Sequence, residues 1–288
     1  MKLCRFVSVH QPLVSVGLVT DANPQQVIDL SSAGVTSLTS LLDVHSLGTH
    51  LSQLVHKPLR RLDLEEVRLL APVESQEVWA AGVTYLRSKN ARMEESDFSA
   101  TAYDRVYSAD RPEIFFKSLG EKVVGPGQGV GIRSDARWNV PEPELALVLN
   151  SRGELVGYTA GNDMSSRDIE GENLLYLPQA KVYRASCALG PFVRVGVSEA
   201  EARTWSIRVS IARSGATVFQ GETSVGQIKR TFDELTGWLS RSQQFPNGAV
   251  LLTGTGVVPP NEFTLAPGDV VQIDISGVGA LSNPVIVV

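Results

Sequence analysis

Pro141-Glu142-Pro143-Glu144-Leu145-Ala146-Leu147-Val148-Leu149 closes a loop-like run and opens an unbroken apolar one. Two carboxylates at i and i+2 point to the same side of an extended chain. A second extended segment, Leu155-Val156-Gly157-Tyr158-Thr159-Ala160, follows a turn and ends at Gly161-Asn162-Asp163, which places a third carboxylate at a strand end. Three carboxylates brought together repel one another unless a cation sits among them, and an all-oxygen ligand set favours a hard divalent ion such as Mg2+. The plain alternative is that Glu142 and Glu144 face solvent at a strand start.

The rest of the chain fits an enzyme of ordinary composition. It has 288 residues, 43% hydrophobic and 20% charged, enough for one large domain, or one large and one small, with a sizeable core. A net charge of -5 and the lack of a basic run give no reason to expect a nucleic-acid partner. Cys4 and Cys187 are the only cysteines, so a disulfide framework is not indicated and a reducing compartment is expected. The N-terminal residues lack the apolar stretch of a signal peptide, and no apolar run approaches the ~20 residues of a membrane helix. The expectation is a cytoplasmic, soluble protein with no membrane partner.

Strand signals dominate. Val78–Val83 and Ile114–Lys117 read as strands, and Trp205–Ile211 and Val271–Ile275 alternate apolar with polar residues. Val225, Ile228, Phe232, Leu235 and Leu239 share one helical stripe. Ahead of them, Val7–Val19 is weakly extended. Leucines from Ser37 to Leu54 are spaced for an amphipathic helix that Pro58 would stop. These signals predict an α+β, mainly β protein of mixed sheets: a small N-terminal domain over 1–70 and a catalytic domain over 71–288. Residues 84–110 read either as a solvated connection, in part a short surface helix, or as a mobile lid over a site.

The segments Pro141–Ala146 and Gly157–Asp168, with Gly254-Thr255-Gly256 and Gly277–Asn283, resemble the fumarylacetoacetate hydrolase superfamily over roughly residues 78–288. Arg111–Lys117 and Asn173–Tyr183 resemble its branch of 2-keto-3-deoxy-pentonate dehydratases. The resemblance implies a mixed β-sandwich roll and a Mg2+ site on Glu142, Glu144 and Asp163, with Mn2+ or Ca2+ as substitutes. It also implies a homodimer or homotetramer acting on a small 2-keto acid. Hydrolases of the superfamily carry a His shortly after a Gly-x-Asn-Tyr motif. The matching stretch here, Gly82–Lys89, has none, and the four histidines, His10, His45, His50 and His56, all precede it.

The reaction this resemblance implies is dehydration of a 2-keto-3-deoxy sugar acid, of arabinonate or xylonate type, to 2,5-dioxopentanoate in pentose catabolism. The ion polarises the C2 keto group. Lys181 acts as the C3 base, or instead as a fixed ammonium that stabilises developing charge; otherwise it is a surface lysine. Glu113, following Pro112, is the expected acid for the departing C4 hydroxyl, or else a plain solvated glutamate. Thr255 approaches the substrate carboxylate or merely forms a tight turn, and Arg87 holds a substrate end from the lid side. Arg167 and Asp168 read as a structural ion pair beside the carboxylates, and Cys187 as a packed thiol. The competing readings are a hydrolase of acylpyruvates or other β-diketo acids, a keto-acid decarboxylase, and a degenerate member without activity.

Overall fold

A computed structural model describes residues 1–9, 11–87 and 104–288. The lid-or-connection reading of 84–110 falls largely on residues 88–103, which lie outside the described residues, as does His10.

The strands, in chain order, are β1 (Lys2–Ser8), β2 (Gln11–Thr20), β3 (Asn23–Asp29), β4 (Arg61–Asp63), β5 (Val67–Leu70), β6 (Glu77–Gly82), β7 (Glu113–Leu119), β8 (Val130–Ile132) and β9 (Asn139–Val140). Then come β10 (Pro143–Leu149), β11 (Leu155–Asp163), β12 (Ser165–Ser166), β13 (Cys187–Val195), β14 (Ser206–Arg213), β15 (Ala216–Ser224), β16 (Ala249–Leu252), β17 (Val270–Ile275) and β18 (Gly279–Val287). The helices used below are α1 (Leu38–Leu42), α2 (Leu47–Val55), α3 (Arg167–Glu172), α4 (Leu177–Lys181), α5 (Glu199–Ala202) and α6 (Phe232–Ser240).

The large sheet runs β4-β3-β2-β1-β13-β11-β10-β16-β6-β7, with β5 also paired to β1. A five-stranded sheet, β15-β14-β17-β18-β8, lies across one of its faces. Both are mixed, because β16–β6 and β18–β8 pair in parallel while their neighbours are antiparallel. The mainly β, α+β architecture expected from the strand signals is therefore the one that forms.

The run at 145–149 lies at the centre of this arrangement, and every residue of β10 is buried. Leu145, Leu147 and Leu149, with Tyr158 and Ala160 of β11, pack against Ile207, Val209 and Ile211 of β14 and Ile273 and Ile275 of β17. Ala146 and Val148 point the other way, into a second core with Leu189, Val250 and Leu252 and with Leu38, Leu41, Leu51 and Leu54 of α1 and α2. A strand covered on both faces must be apolar at every position, which explains the unbroken run. Each such aliphatic side chain contributes about 1.5–3 kcal/mol by leaving water.

Two predicted helices are broken in the structure. The leucine pattern of 37–54 forms two short helices instead of one, although the second ends at Val55, ahead of Pro58, as expected. Asp43–Ser46 breaks the helix, with Ser46 in the left-handed region (φ 53°). The stripe from Val225 to Leu239 is helical only from Phe232; Val225 lies in a 3-10 turn and Ile228 is extended. All five stripe residues are nonetheless buried, so the pattern reports burial correctly and periodicity only in part. Among the described residues no helix is long and apolar enough to cross a membrane.

Candidate active site

The sheet register assembles the carboxylates. β10 and β11 are antiparallel, with Pro143 opposite Asn162 and Glu144 opposite Gly161. The Asp163 N–H continues this ladder by donating to the Glu142 carbonyl at 3.0 Å. Glu144 and Asp163 thus leave their strands on the face that carries Ala146 and Val148. Carboxylate oxygens of Glu142, Glu144 and Asp163 lie within 4.8 Å of one another, and all three residues are buried. The trio read from spacing is brought together.

Lys181 joins it from the last position of α4. Its fully buried Nζ donates to Glu142 Oε2 at 2.7 Å and to Asp163 Oδ2 at 3.2 Å. A second buried lysine, Lys117 of β7, pairs with Asp163 Oδ1 and donates to the carbonyls of Met164 and Lys181. Arg167, at the start of α3, donates from Nη2 to Glu142 Oε1 at 2.8 Å. Glu144 receives the Gly254 N–H at 2.6 Å.

Sequence reasoning misses Lys117 as a contact of the carboxylates. A signal exists: a lysine in an apolar strand, two positions from Phe115, is rarely buried unless it is paired. The expected pairing of Arg167 with Asp168 does not form, because the Arg167 guanidinium reaches Glu142. Asp168 Oδ2 instead accepts the Arg137 N–H at 2.6 Å. Three cationic side chains therefore stand against three carboxylates, so repulsion within the trio does not by itself demand a bound ion.

The compensation is uneven. Burial raises the Asp163 carboxyl, but the Lys117 and Lys181 ammoniums outweigh this and hold it below its usual range. Lys117 is itself lowered by burial, an effect Asp163 only partly offsets. Glu144 is pushed well above the carboxylate range, first by burial and then by the like charges of Asp163 and Glu142. A hard dication on this all-oxygen donor set would remove that repulsion, so the residues present fit one.

The three carboxylates and Lys181 line a narrow recess, with a cavity volume of about 10 Å³, closed by Ala81, Gly82, Val83, Phe115, Gly254 and Thr255. Gly254 is the hinge of its rim. It has φ 90°, and a Cβ there would collide with the Thr84 hydroxyl, which donates to the Thr253 carbonyl. Thr255 lines the recess, but its hydroxyl is engaged with Val257, donating to the carbonyl at 3.1 Å. Glu113, half-buried at the start of β7, lies opposite Gly82 in the register, and its carboxylate sits over the Gly82 Cα. Arg87 is exposed and is not part of the recess lining. Among the described residues no histidine lines the recess. The Cys187 thiol is buried and pushed up to about 12 by burial, a packed thiol as expected.

Residues 77–286 match the family profile described as Fumarylacetoacetate (FAA) hydrolase C-terminal. A probable 2-keto-3-deoxyxylonate dehydratase of Haloferax volcanii is 49% identical over 74% of this chain and 73% of its own. The 2-dehydro-3-deoxy-D-arabinonate dehydratase of Saccharolobus solfataricus is 38% identical over 79% of this chain and 77% of its own. Among solved structures, 2-keto-3-deoxy-D-arabinonate dehydratase complexed with magnesium and 2,5-dioxopentanoate superposes with a TM-score of 0.84 at 32% identity, covering 100% of this chain and 99% of that one.

Proposed function

Because this chain belongs to the fumarylacetoacetate hydrolase family, we propose that it dehydrates a 2-keto-3-deoxy pentonate, of arabinonate or xylonate type, to 2,5-dioxopentanoate in pentose catabolism. It is a hydro-lyase on this reading. The observation that carries it is the recess itself: three buried carboxylates with the Lys181 ammonium bonded to two of them and no histidine in the lining among the described residues. Hydrolysis of a C–C bond needs a group that activates water, and the histidine that would do so in this family has no counterpart in Gly82–Lys89. The names of the two dehydratase relatives point the same way.

Glu142, Glu144 and Asp163 would hold Mg2+, or Mn2+ or Ca2+ in its place. Bound there, the ion supplies Lewis-acid polarisation of the substrate's C2 keto group. Lys181, held by Glu142 and Asp163, takes the proton from C3 as the neutral amine, after its ammonium has first given up a proton to solvent. Glu113 gives a proton to the C4 hydroxyl as the C4–O bond breaks, so that water leaves. Loss of a C5 proton and return of a proton to C3 then move the alkene from C3–C4 to C4–C5, and the resulting enol becomes the terminal aldehyde as C4 gains a proton and the hydroxyl loses one. Lys117 and Arg167 keep Asp163 and Glu142 oriented. Thr255, on the recess wall, offers its backbone to the substrate carboxylate, and Arg87 reaches a substrate end only if it moves from its exposed position. Two free, buried cysteines, Cys4 and Cys187, accord with a reducing cytoplasm. A homodimer or homotetramer completes the proposal.

The test is a paired assay with purified protein and Mg2+. 2-Keto-3-deoxy-arabinonate and -xylonate are expected to yield aldehyde, and excess EDTA to stop it. Pyruvate from acylpyruvates with no aldehyde from either sugar acid would sink the proposal. Lys181→Met is expected to bind Mg2+ while losing exchange of the C3 protons in deuterated water; unchanged exchange would remove Lys181 as the base.

A further inference from the structure

Outside the recess, one buried cation is engaged in an unusual way. Arg230 is 6% exposed, and its guanidinium donates to three backbone carbonyls of a single segment. These are Asp110 at 3.1 Å, Val106 at 3.3 Å and Ala109 at 2.6 Å. It also pairs with Glu234 of α6. The adjoining Lys229 donates its side chain to the Tyr107 carbonyl and stacks on the Tyr107 ring at 4.3 Å. Its backbone N–H bonds the Thr84 carbonyl at 3.0 Å. Thr84 in turn braces Thr253 beside Gly254. One short loop before α6 therefore grips two walls of the recess, the one ending in Thr84 and the one leading through Arg111 and Pro112 into Glu113.

The grip is itself held from behind. Arg203, paired with Glu199 of α5 at 2.7 Å, donates to the carbonyls of Ile228 at 2.9 Å and Arg230 at 2.7 Å. Glu199 also accepts the Phe232 N–H at 3.2 Å, which fixes the start of α6. Further along α6, Trp238 carries the Arg111 guanidinium 4.4 Å from its ring centroid. Residues 106–111 are thus fastened at several points to a rigid support, a few positions ahead of Glu113. Residues 104–108 are helical, so Val106, Ala109 and Asp110 present carbonyls that a helix end leaves without partners, and the Arg230 guanidinium takes all three, tying that end to the loop before α6.

We propose that Arg230 is a positioning residue that holds the Glu113 carboxylate against Gly82, on the rim of the recess, by fastening the segment that leads into β7. This rests on the reading of Glu113 as the acid for the leaving hydroxyl. Arg230 reaches the acid through backbone alone, so it affects elimination without touching the carboxylate trio or Lys181. A shift of about 1 Å in a catalytic group is enough to cost a rate of the order of 100-fold.

The two half-reactions separate the possibilities, measured in Arg230→Ala, Arg230→Lys, Glu113→Gln and the Glu113→Gln/Arg230→Ala pair, each loaded with Mg2+. Arg230→Ala is expected to lower kcat for aldehyde formation about 10- to 100-fold, with KM and C3 proton exchange in deuterated water within about threefold. Arg230→Lys, which keeps a donor to the carbonyls, should recover part of the rate; it carries the test if the alanine variant does not fold. In the double variant the losses should not multiply, because both act on one group. Exchange and dehydration falling together, or losses that multiply, would overturn the positioning role while Glu113→Gln still separates the half-reactions. Dehydration left intact by Glu113→Gln would overturn the acid assignment and, with it, this inference.

Discussion

Glu144 is the residue on which the carboxylate trio turns. Glu142 and Asp163 each bond a cationic side chain, whereas Glu144 accepts the Gly254 N–H. Burial and its like-charged neighbours push its carboxyl well above the usual range, and the sign of the consequence comes from linkage. A carboxyl raised on folding favours the folded state below its unfolded pKa, and that contribution fades as pH climbs through the raised value. A divalent ion needs the ionised form and so releases the proton. Mg2+ affinity should therefore go on rising with pH above the ordinary carboxylate range, and the thermal stabilisation by Mg2+ should grow in step. Calorimetric Mg2+ titrations in buffers of different protonation enthalpy check this, with proton release expected in the wild type and diminished in Glu144→Gln. Affinity that stops changing with pH once the ordinary carboxylate range is passed would contradict the shift.

At the scale of elements, the recess exists because β10, β11 and β7 end or begin at the same place on one sheet face, and because the turn after β16 closes over them. Gly254 carries that turn at φ 90°, a region L-residues rarely occupy, and its N–H then aims at Glu144. Gly254→Ala must place a methyl against the Thr84 hydroxyl. It is expected to cost about 1–3 kcal/mol of stability and to weaken Mg2+ binding more than a surface substitution of equal cost. Thermal melts and Mg2+ titration of the variant measure both. Unaltered Mg2+ affinity would mean that the Gly254 N–H does not matter to Glu144. The register of β10 on β11 is implicit in the sequence once both runs are taken as strands flanking a turn. The helices are less legible. Asp43–Ser46 breaks one through a local backbone choice, and the Val225–Leu239 stripe is bent into turn, extended chain and helix while keeping its buried face.

Across the whole molecule, the leading segment and the rest share one sheet and one core. β1 pairs with β13 as well as with β2 and β5, and Leu3, Val16, Leu18 and Ile28 pack in the same cluster as Ala146, Val148 and Leu252. That cluster lies on the sheet face from which Glu144 and Asp163 emerge. We propose that residues 1–70 act as part of the support of the recess. A fragment of residues 71–288 is expected to lose near-ultraviolet dichroism and Mg2+ binding, and the full chain to unfold in urea in a single transition seen equally by fluorescence and far-ultraviolet dichroism. A fragment that folds and binds Mg2+ alone would show the leading segment to be a separate unit.

Spacing within the chain is enough to identify what lies within a few residues along it. Glu142 and Glu144 share a side of a strand, an apolar run marks a strand covered on both faces, and Asp163 stands at the end of the next strand. These come from the two-residue repeat of extended chain and from the need to bury apolar surface. What only the tertiary structure decided lies far apart in sequence. Lys117 pairs with Asp163 across β7, Arg167 turns to Glu142, Gly254 donates to Glu144, and Arg87 stays outside the recess. A buried charge is placed by the counter-charge it must meet after desolvation. That partner is chosen by the packing of distant strands, which no local periodicity encodes.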